Sequence, residues 1–226
     1  MENDVVRRTP LFAALDDDAA SALRASMSQT TIGRGQVVFA EGEPGDRLFV
    51  VVEGKVKLGQ TSVDGREQVM AIVGPGGMFG ELSLFDPGLR TSTATAVTDT
   101  VLLGLGQGDL RPWLTGRPEV AEALLRALAQ RLRRTNEAMA DLVFSDVPGR
   151  VAKALLDLAD KFGQPQDDGT LLVAHDLTQE ELAQLVGASR ETVNKSLADF
   201  AQRGWLRIEA RSVVLLDVER LTRRAR

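Results

Sequence analysis

From Pro118 to Phe144 no further proline or glycine interrupts the chain, and Leu125, Leu128, Leu132, Thr135, Met139 and Leu142 recur at alternating spacings of three and four residues. This heptad seam of about three repeats commits the segment to one long helix. Pro118 suits the first helical position, and Glu119 lies at the end of the helix dipole that favours negative charge. Arg126, Arg131, Arg133, Arg134 and Glu137 flank the seam as a solvated face. A narrow seam with charged flanks fits a coiled coil between two copies better than the alternative, a helix lying on its own domain. Thr135 is the polar residue of the seam, either a register-setting residue or one with a partner. Asp146-Val147-Pro148-Gly149-Arg150 then breaks the helix and reads as a hinge.

The helix separates two stretches of different texture. Between Gly33 and Leu114 lie short β-prone runs: Val37 to Phe39, Leu48 to Val52, Lys55 to Leu58, Val69 to Val73 and Val101 to Leu105. Glu43-Pro44-Gly45-Asp46, Glu53-Gly54, Asp64-Gly65 and Gly74-Pro75-Gly76-Gly77 separate them as turns, the pattern of an antiparallel roll or barrel. Asp64-Gly65 predicts a two-residue type I′ hairpin with positive φ at both positions. From Val151 to Arg226 helical periodicity dominates, with one β-prone run at Leu171 to Ala174. A small hairpin is predicted from Trp205-Leu206-Arg207-Ile208 and Ser212 to Leu216.

Within this second stretch, Thr178-Gln179-Glu180-Glu181 has the spacing of a capping box. The helix it opens presents Leu182, Leu185 and Val186 on one face, keeps Ala183 small for a close crossing, and ends at Gly187. Ser189 caps the next helix, whose inner positions include Val193 and Leu197. Two short helices joined by a tight glycine-containing turn form a helix-turn-helix, the second helix entering the major groove by its N-terminal residues. Arg190, Glu191, Asn194 and Lys195 would then face base edges. An ordinary helical hairpin with a charged face is the competing reading. The formal net charge of −5 means that any DNA-facing charge is local. Arg190, Lys195, Arg203, Arg207 and Arg211 would supply it, with Arg223, Arg224 and Arg226 as phosphate contacts or a solvated tail.

In the β-rich stretch, Phe79-Gly80-Glu81-Leu82-Ser83-Leu84-Phe85 is followed by Arg90-Thr91-Ser92. Gly80 permits close backbone approach, Glu81 to Leu84 suits a helical turn with N–H groups facing an anion, and Arg90 offers a planar fork for phosphate oxygens. Glu81 would accept from a sugar hydroxyl. On the residues alone, a structural Glu81–Arg90 ion pair explains the pattern equally well. Cysteine is absent and His175 is the single histidine, so thiolate metal sites, cysteine-ligated clusters and histidine triads are excluded, and neither catalytic nor metal-ligating residues are expected. Met1-Glu2-Asn3-Asp4 leads into no apolar signal segment, and no apolar run approaches the ~20 residues of a membrane span. The expectation is a soluble cytoplasmic protein, not an enzyme and without a membrane partner.

Gly80-Glu81-Leu82-Ser83, with Arg90-Thr91 starting nine residues after the Glu, resembles the phosphate-binding cassette of cyclic-nucleotide-binding domains. Glu41-Gly42-Glu43-Pro44-Gly45-Asp46 and Glu53-Gly54-Lys55-Val56 resemble the same family. With Val186-Gly187-Ala188-Ser189-Arg190-Glu191-Thr192-Val193, the chain from about residue 10 onward resembles cAMP receptor proteins of the CRP/FNR superfamily, closest to the actinobacterial GlxR-type members. The resemblance implies an α+β chain: a cyclic-nucleotide-binding antiparallel β-roll (a jelly roll) over 1–116, a central dimerisation helix over 117–145, and a winged helix-turn-helix over 146–226. It implies a homodimer with one cAMP per roll, the allosteric ligand rather than a catalytic cofactor. Gly80 and Glu81 would hold the ribose with help from Leu82 and Ser83, and Arg90 and Thr91 the cyclic phosphate. Thr135 and Asn136 would contact adenine, partly across the dimer.

DNA contacts would come from Thr178, Ser189, Arg190, Glu191, Thr192, Asn194 and Lys195 on a palindrome of TGTGA-like halves, and bound protein would meet RNA polymerase. Two residues depart from the best-known members. Lys195 stands where they carry Arg, and Thr at the position of Thr91 goes with cGMP in related kinase domains. The alternatives are therefore gating by cGMP or another effector, or DNA binding largely without ligand. A regulatory subunit of an enzyme or channel would need a catalytic or membrane module, which the rest of the chain lacks.

Overall fold

The computed structural model describes residues 5, 7–13, 15–86 and 88–225. The chain forms two compact units, Met1–Gln60 with Met70–Arg134, and Thr61–Val69 with Thr135–Arg226.

In the first unit, helices α1 (Pro10–Ala13) and α2 (Asp17–Ala25) precede eight strands: β1 (Ser28–Ile32), β2 (Val37–Phe39), β3 (Arg47–Glu53), β4 (Val56–Thr61), β5 (Glu67–Val73), β6 (Met78–Phe79), β7 (Thr93–Ala96) and β8 (Thr100–Gly106). They form two four-stranded sheets, ordered β1-β8-β3-β6 and β2-β7-β4-β5. β3 and β8 pair antiparallel through the middle of the first sheet, with Leu48 opposite Leu105 and Val50 opposite Leu103. These four side chains join one apolar core with Leu11, Phe12 and Leu23 of the N-terminal helices. A second core holds Phe39, Val51, Val56, Leu58 and Phe79. The predicted runs lie in strands, except that Lys55 precedes β4. β1, β6 and β7 carry no such run: β1 is polar and mostly exposed, β6 has two residues, and β7 reads Thr-Ala-Thr-Ala.

The turn after β4 departs from the expected type I′ hairpin. Gly65 has φ +82°, but Asp64 is not among the positive-φ residues. Gly65 N–H donates to Ser62 O at 2.9 Å and Ser62 N–H to Arg66 O at 2.8 Å. The loop is thus three residues long, a turn closed by one left-handed glycine. The side chains of Ser62, Asp64 and Arg66 bond one another and favour the longer loop.

After α3 (Leu82–Phe85) and α4 (Gln107–Gly116) comes α5, the long helix, Pro118–Phe144 as predicted. Its first turns fix it to the roll, because Val120 and Leu124 lie within the first core. The seam lies on another face. Leu125, Leu132, Met139 and Leu142 are 66%, 61%, 63% and 57% exposed.

The second unit contains α6 (Val147–Phe162), β9 (Gly163–Pro165), β10 (Leu171–Val173), α7 (Gln179–Val186), α8 (Arg190–Gln202), β11 (Leu206–Ile208), β12 (Val213–Leu215) and α9 (Val218–Arg224). The strands form one sheet, β11-β12-β10-β9, and β11 and β12 make the predicted hairpin with Leu206 opposite Leu215. Its core includes Leu155, Leu177, Leu182, Val193, Phe200 and Leu221. The break after α5 is shorter than the sequence suggests. Only Ser145 and Asp146 are non-helical, and Val147-Pro148-Gly149 form the first turn of α6. Proline is tolerated there because a first-turn N–H has no intrahelical partner.

Candidate functional site

The chain leaves β6 into Gly80, whose φ of +78° turns it sharply into Glu81 and α3. A Cβ at Gly80 would lie 2.8 Å from Arg90 Nη1 and 3.2 Å from Arg47 O, so this position admits only glycine without displacement. The opposite wall is equally tight: a Cβ on Gly45 would lie 2.3 Å from Ser83 Oγ and 2.8 Å from Arg90 Nε. The Glu41–Asp46 loop also fixes the backbone of Arg90. Arg90 N–H donates to Glu43 O at 2.8 Å, and Gly42 N–H donates to Arg90 O at 2.9 Å.

Arg90 is 5% exposed. Its Nη1 donates to Gly80 O at 2.8 Å and Ser83 Oγ at 3.0 Å, and its Nη2 to Arg47 O at 2.9 Å. The guanidinium carbon lies 4.1 Å from the centroid of the Phe39 ring, a cation–π contact. Burial pulls its pKa down, Asp46, Glu43 and Glu81 push it up, and Arg47 lowers it further. The competing reading, a Glu81–Arg90 ion pair, does not form among the described residues. Glu81, 2% exposed, instead accepts from Arg131 Nη1 on α5 at 2.5 Å.

Two buried polar atoms here lack partners: Arg90 Nε, a donor, and Glu81 Oε2, an acceptor. Leaving such groups unsatisfied costs about 1–3 kcal/mol each. Arg90 lines a cleft with Gly80, Leu82, Ser83, Thr91 and Arg131, with Phe39 and Leu58 as apolar walls, and Glu81 bonds Arg131 of that lining. A ligand carrying an anionic oxygen and a hydroxyl would satisfy both atoms, so the residues fit a nucleotide bearing phosphate and sugar. The helical turn forms at α3, with Leu84 N–H committed to Glu81 O at 3.0 Å. Of the candidate residues, Gly80, Leu82, Ser83, Arg90 and Thr91 line this cleft, and Glu81 is buried between Gly80 and Leu82 in the chain.

Arg131 was hidden among residues read as a solvated face. The available signal was its position four residues before Thr135, which puts both on one side of the helix. Thr135 and Asn136 are exposed on the same helix but belong to the second unit.

A second constellation lies on α7 and α8. Thr178 Oγ1 accepts from Glu181 N–H at 3.1 Å, and Glu181 Oε2 accepts from Thr178 N–H at 2.8 Å, completing the capping box. Gly187 closes α7 in the left-handed region, φ 71° and ψ 45°. Ser189 caps α8, its Oγ accepting from Thr192 N–H at 3.2 Å. Val193 and Leu197 are buried, while Arg190, Glu191, Thr192 and Lys195 are exposed. Among the described residues neither Arg190 nor Lys195 has an ion-pair partner. Asn194 turns toward α7 instead, donating to Gln179 Oε1 at 3.0 Å. Of the other basic residues, Arg203 pairs with Asp199 at 2.8 Å and Arg207 with Glu209 at 3.4 Å, while Arg211 reaches Asp176 O at 3.5 Å. The tail is engaged too: Arg223 pairs with Glu219, and Arg224 grips both carboxylate oxygens of Asp146 at 2.7 and 2.5 Å. Arg226 lies outside the described residues.

One network was not legible in the sequence. Arg150 donates from Nη1 to Ser145 O at 2.8 Å, from Nε to Val186 O at 3.1 Å and from Nη2 to Gly187 O at 3.2 Å. It ties the segment between α5 and α6 to the turn between α7 and α8.

Residues 29–115 match the cyclic nucleotide-binding domain family, and residues 149–224 the Crp-like helix-turn-helix domain family. A CRP-like cAMP-activated global transcriptional regulator of Mycobacterium tuberculosis is 56% identical over 224 residues, covering 99% of this chain and 100% of that protein. A cyclic AMP receptor protein of Thermus thermophilus is 36% identical, covering 94% of this chain and 97% of its own length. The solved structure of a CRP/FNR-family transcriptional regulator, also from Thermus thermophilus, superposes with a TM-score of 0.73 at 31% identity, over 88% of this chain and 98% of that one.

Proposed function

The chain belongs to the CRP/FNR family of transcription regulators, and from that premise we propose that it is a homodimeric, cAMP-gated reader of palindromic DNA. It is a regulator and not an enzyme. The reading rests above all on the paired orphan atoms of the cleft, Arg90 Nε and Glu81 Oε2. cAMP carries what each requires, a phosphate oxygen for the guanidinium and a ribose hydroxyl for the carboxylate. Residues 1–116 bind the ligand, 117–145 join the two copies, and 146–226 read DNA.

Ligand bound at Arg90 and Glu81 also bears on Arg131 of α5, since Glu81 is its ion-pair partner. Thr135 and Asn136 on the same helix take the adenine, partly across the dimer. The far end of α5 runs into Ser145, whose carbonyl is held by the same Arg150 that holds Val186 and Gly187. A change in α5 therefore reaches the turn that aims α8. Arg190, Glu191 and Lys195 then face base edges, with Thr178, Ser189 and Thr192 close to the backbone. Two such helices engage TGTGA-like half-sites about one DNA turn apart, ~34 Å. Bound protein contacts RNA polymerase in the cytoplasm, where the DNA lies.

The test is a titration of a TGTGA palindrome at fixed salt with no nucleotide, cAMP or cGMP. Tightest binding with cAMP supports the reading. Equal affinity in all three leaves DNA binding intact and overturns cAMP gating, and preference for cGMP reassigns the ligand.

A further inference from the structure

We propose that Gln179 is a contact to the DNA phosphodiester backbone and that Asn194 is the positioning residue that holds it, not a reader of base edges. The inference rests on the reading of α8 as the recognition helix. Asn194 differs from its neighbours there: Arg190, Glu191 and Lys195 are exposed, whereas Asn194 is half-buried and turned to α7. Its Nδ2 donates to Gln179 Oε1 at 3.0 Å, and its Oδ1 is buried without a partner. Oδ1 is buried and Nδ2 is directed to α7. A buried amide oxygen without a partner costs free energy, so packing between the two helices does not account for an amide at this position. What the amide does is fix Gln179.

Gln179 is the first residue of α7 and is exposed. Oε1 accepts from Asn194, which holds the amide in place, and its Nε2 carries two N–H donors. A free glutamine turns either its acceptor or its donors outward; this one has its oxygen held toward α8 by Asn194, which leaves Nε2 to donate. The first helix of a helix-turn-helix crosses the DNA backbone, and glutamine side chains and helix N-termini are recurrent donors to phosphate. The positive end of the α7 dipole favours the same anion. The bridge thus couples the two helices: α8 reads the groove and, through Asn194, orients the donor by which α7 grips the strand.

The experiment uses the full-length protein with saturating cAMP at fixed salt. Affinities are measured for the TGTGA palindrome and for operators carrying each single base-pair substitution in one half-site. Gln179→Ala, Asn194→Ala and the double variant are compared with the wild type, alongside thermal unfolding. The expected result is a loss of about tenfold for either single variant, equal on every operator, with the double variant no weaker than Gln179→Ala alone. A merely structural role for Asn194 would instead lower the unfolding temperature and add to the effect of Gln179→Ala. That additivity overturns the inference, as does relaxed preference at one base pair in Asn194→Ala, or wild-type affinity in Gln179→Ala. Gln179 is exposed, so its variant keeps the fold and decides the matter even if Asn194→Ala does not fold. A wild type that binds no operator overturns the DNA-reading assignment itself; wild-type binding with a neutral Gln179→Ala overturns this inference alone.

Discussion

Arg90 commits most of its hydrogen-bonding capacity to the protein itself, with Gly80 O, Ser83 Oγ and Arg47 O taking its two terminal nitrogens. A buried guanidinium held this way is preorganised, leaving Nε for a ligand. Arg90→Ala is expected to weaken cAMP binding by roughly 10- to 100-fold, since hydrogen bonds to charged groups contribute about 1.5–3 kcal/mol. Isothermal titration calorimetry checks this, and a variant with unchanged affinity contradicts the pocket. Gly45→Ala should fail differently. Its Cβ would meet Ser83 Oγ at 2.3 Å and Arg90 Nε at 2.8 Å, pushing both aside. It should cost about 1–3 kcal/mol of stability, as overpacking does, and lower nucleotide affinity as well. Calorimetric melting and titration of the same sample test both. The identities of Gly80, Glu81, Ser83 and Arg90 were readable because a motif concentrates them in one short segment. The partner of Glu81 was not: an ion pair to Arg131, 50 residues away, is set by the docking of a helix on a roll, which no local pattern encodes.

Elements were legible in proportion to how locally they are determined. The capping box at Thr178, the left-handed Gly187 and the Ser189 cap are each fixed within four residues, and all stand where the sequence places them. Ser189→Ala should remove about 1 kcal/mol from the second unit, as loss of an N-cap does, measured by urea unfolding. α9 escaped notice because it is seven residues long with a single buried anchor, Leu221. α4 escaped because Pro112 lies inside it. α9 matters to α6, whose cap Asp146 is gripped by Arg224. That guanidinium, aided by Gly149 N–H, holds the Asp146 carboxyl below its ordinary value of 3.8. A depressed pKa stabilises the fold above the unfolded value and ceases to do so as pH falls through the folded one. Asp146→Asn, which still caps, should therefore melt earlier than wild type near neutral pH. The gap should close as the pH falls through the lowered folded value of the carboxyl. A gap that persists in acid would show that the ion pair is not its source.

For the whole molecule, the seam on α5 is the decisive surface. Leu132 and Met139 are each more than 60% exposed in the single chain, on a helix whose other face is anchored by Val120 and Leu124. One face of that helix lies on its own roll, and the seam on the other face is exposed in the single chain. Leu132→Glu is expected to shift the protein to monomer in sedimentation. It should also weaken palindrome binding by more than a hundredfold, because one half-site then binds alone. Acidity of the whole chain is no obstacle to DNA binding, since exposed Arg190 and Lys195 have no acidic partner among the described residues while Arg203, Arg207 and Arg224 are neutralised locally. The central claim is that occupancy of the roll and engagement of DNA are one equilibrium. Coupling of that kind is reciprocal. The direct measurement is the affinity for cAMP with and without saturating operator DNA, at one salt concentration. The account predicts that operator tightens cAMP binding by the same factor by which cAMP tightens operator binding; identical cAMP affinity in the two conditions would contradict it.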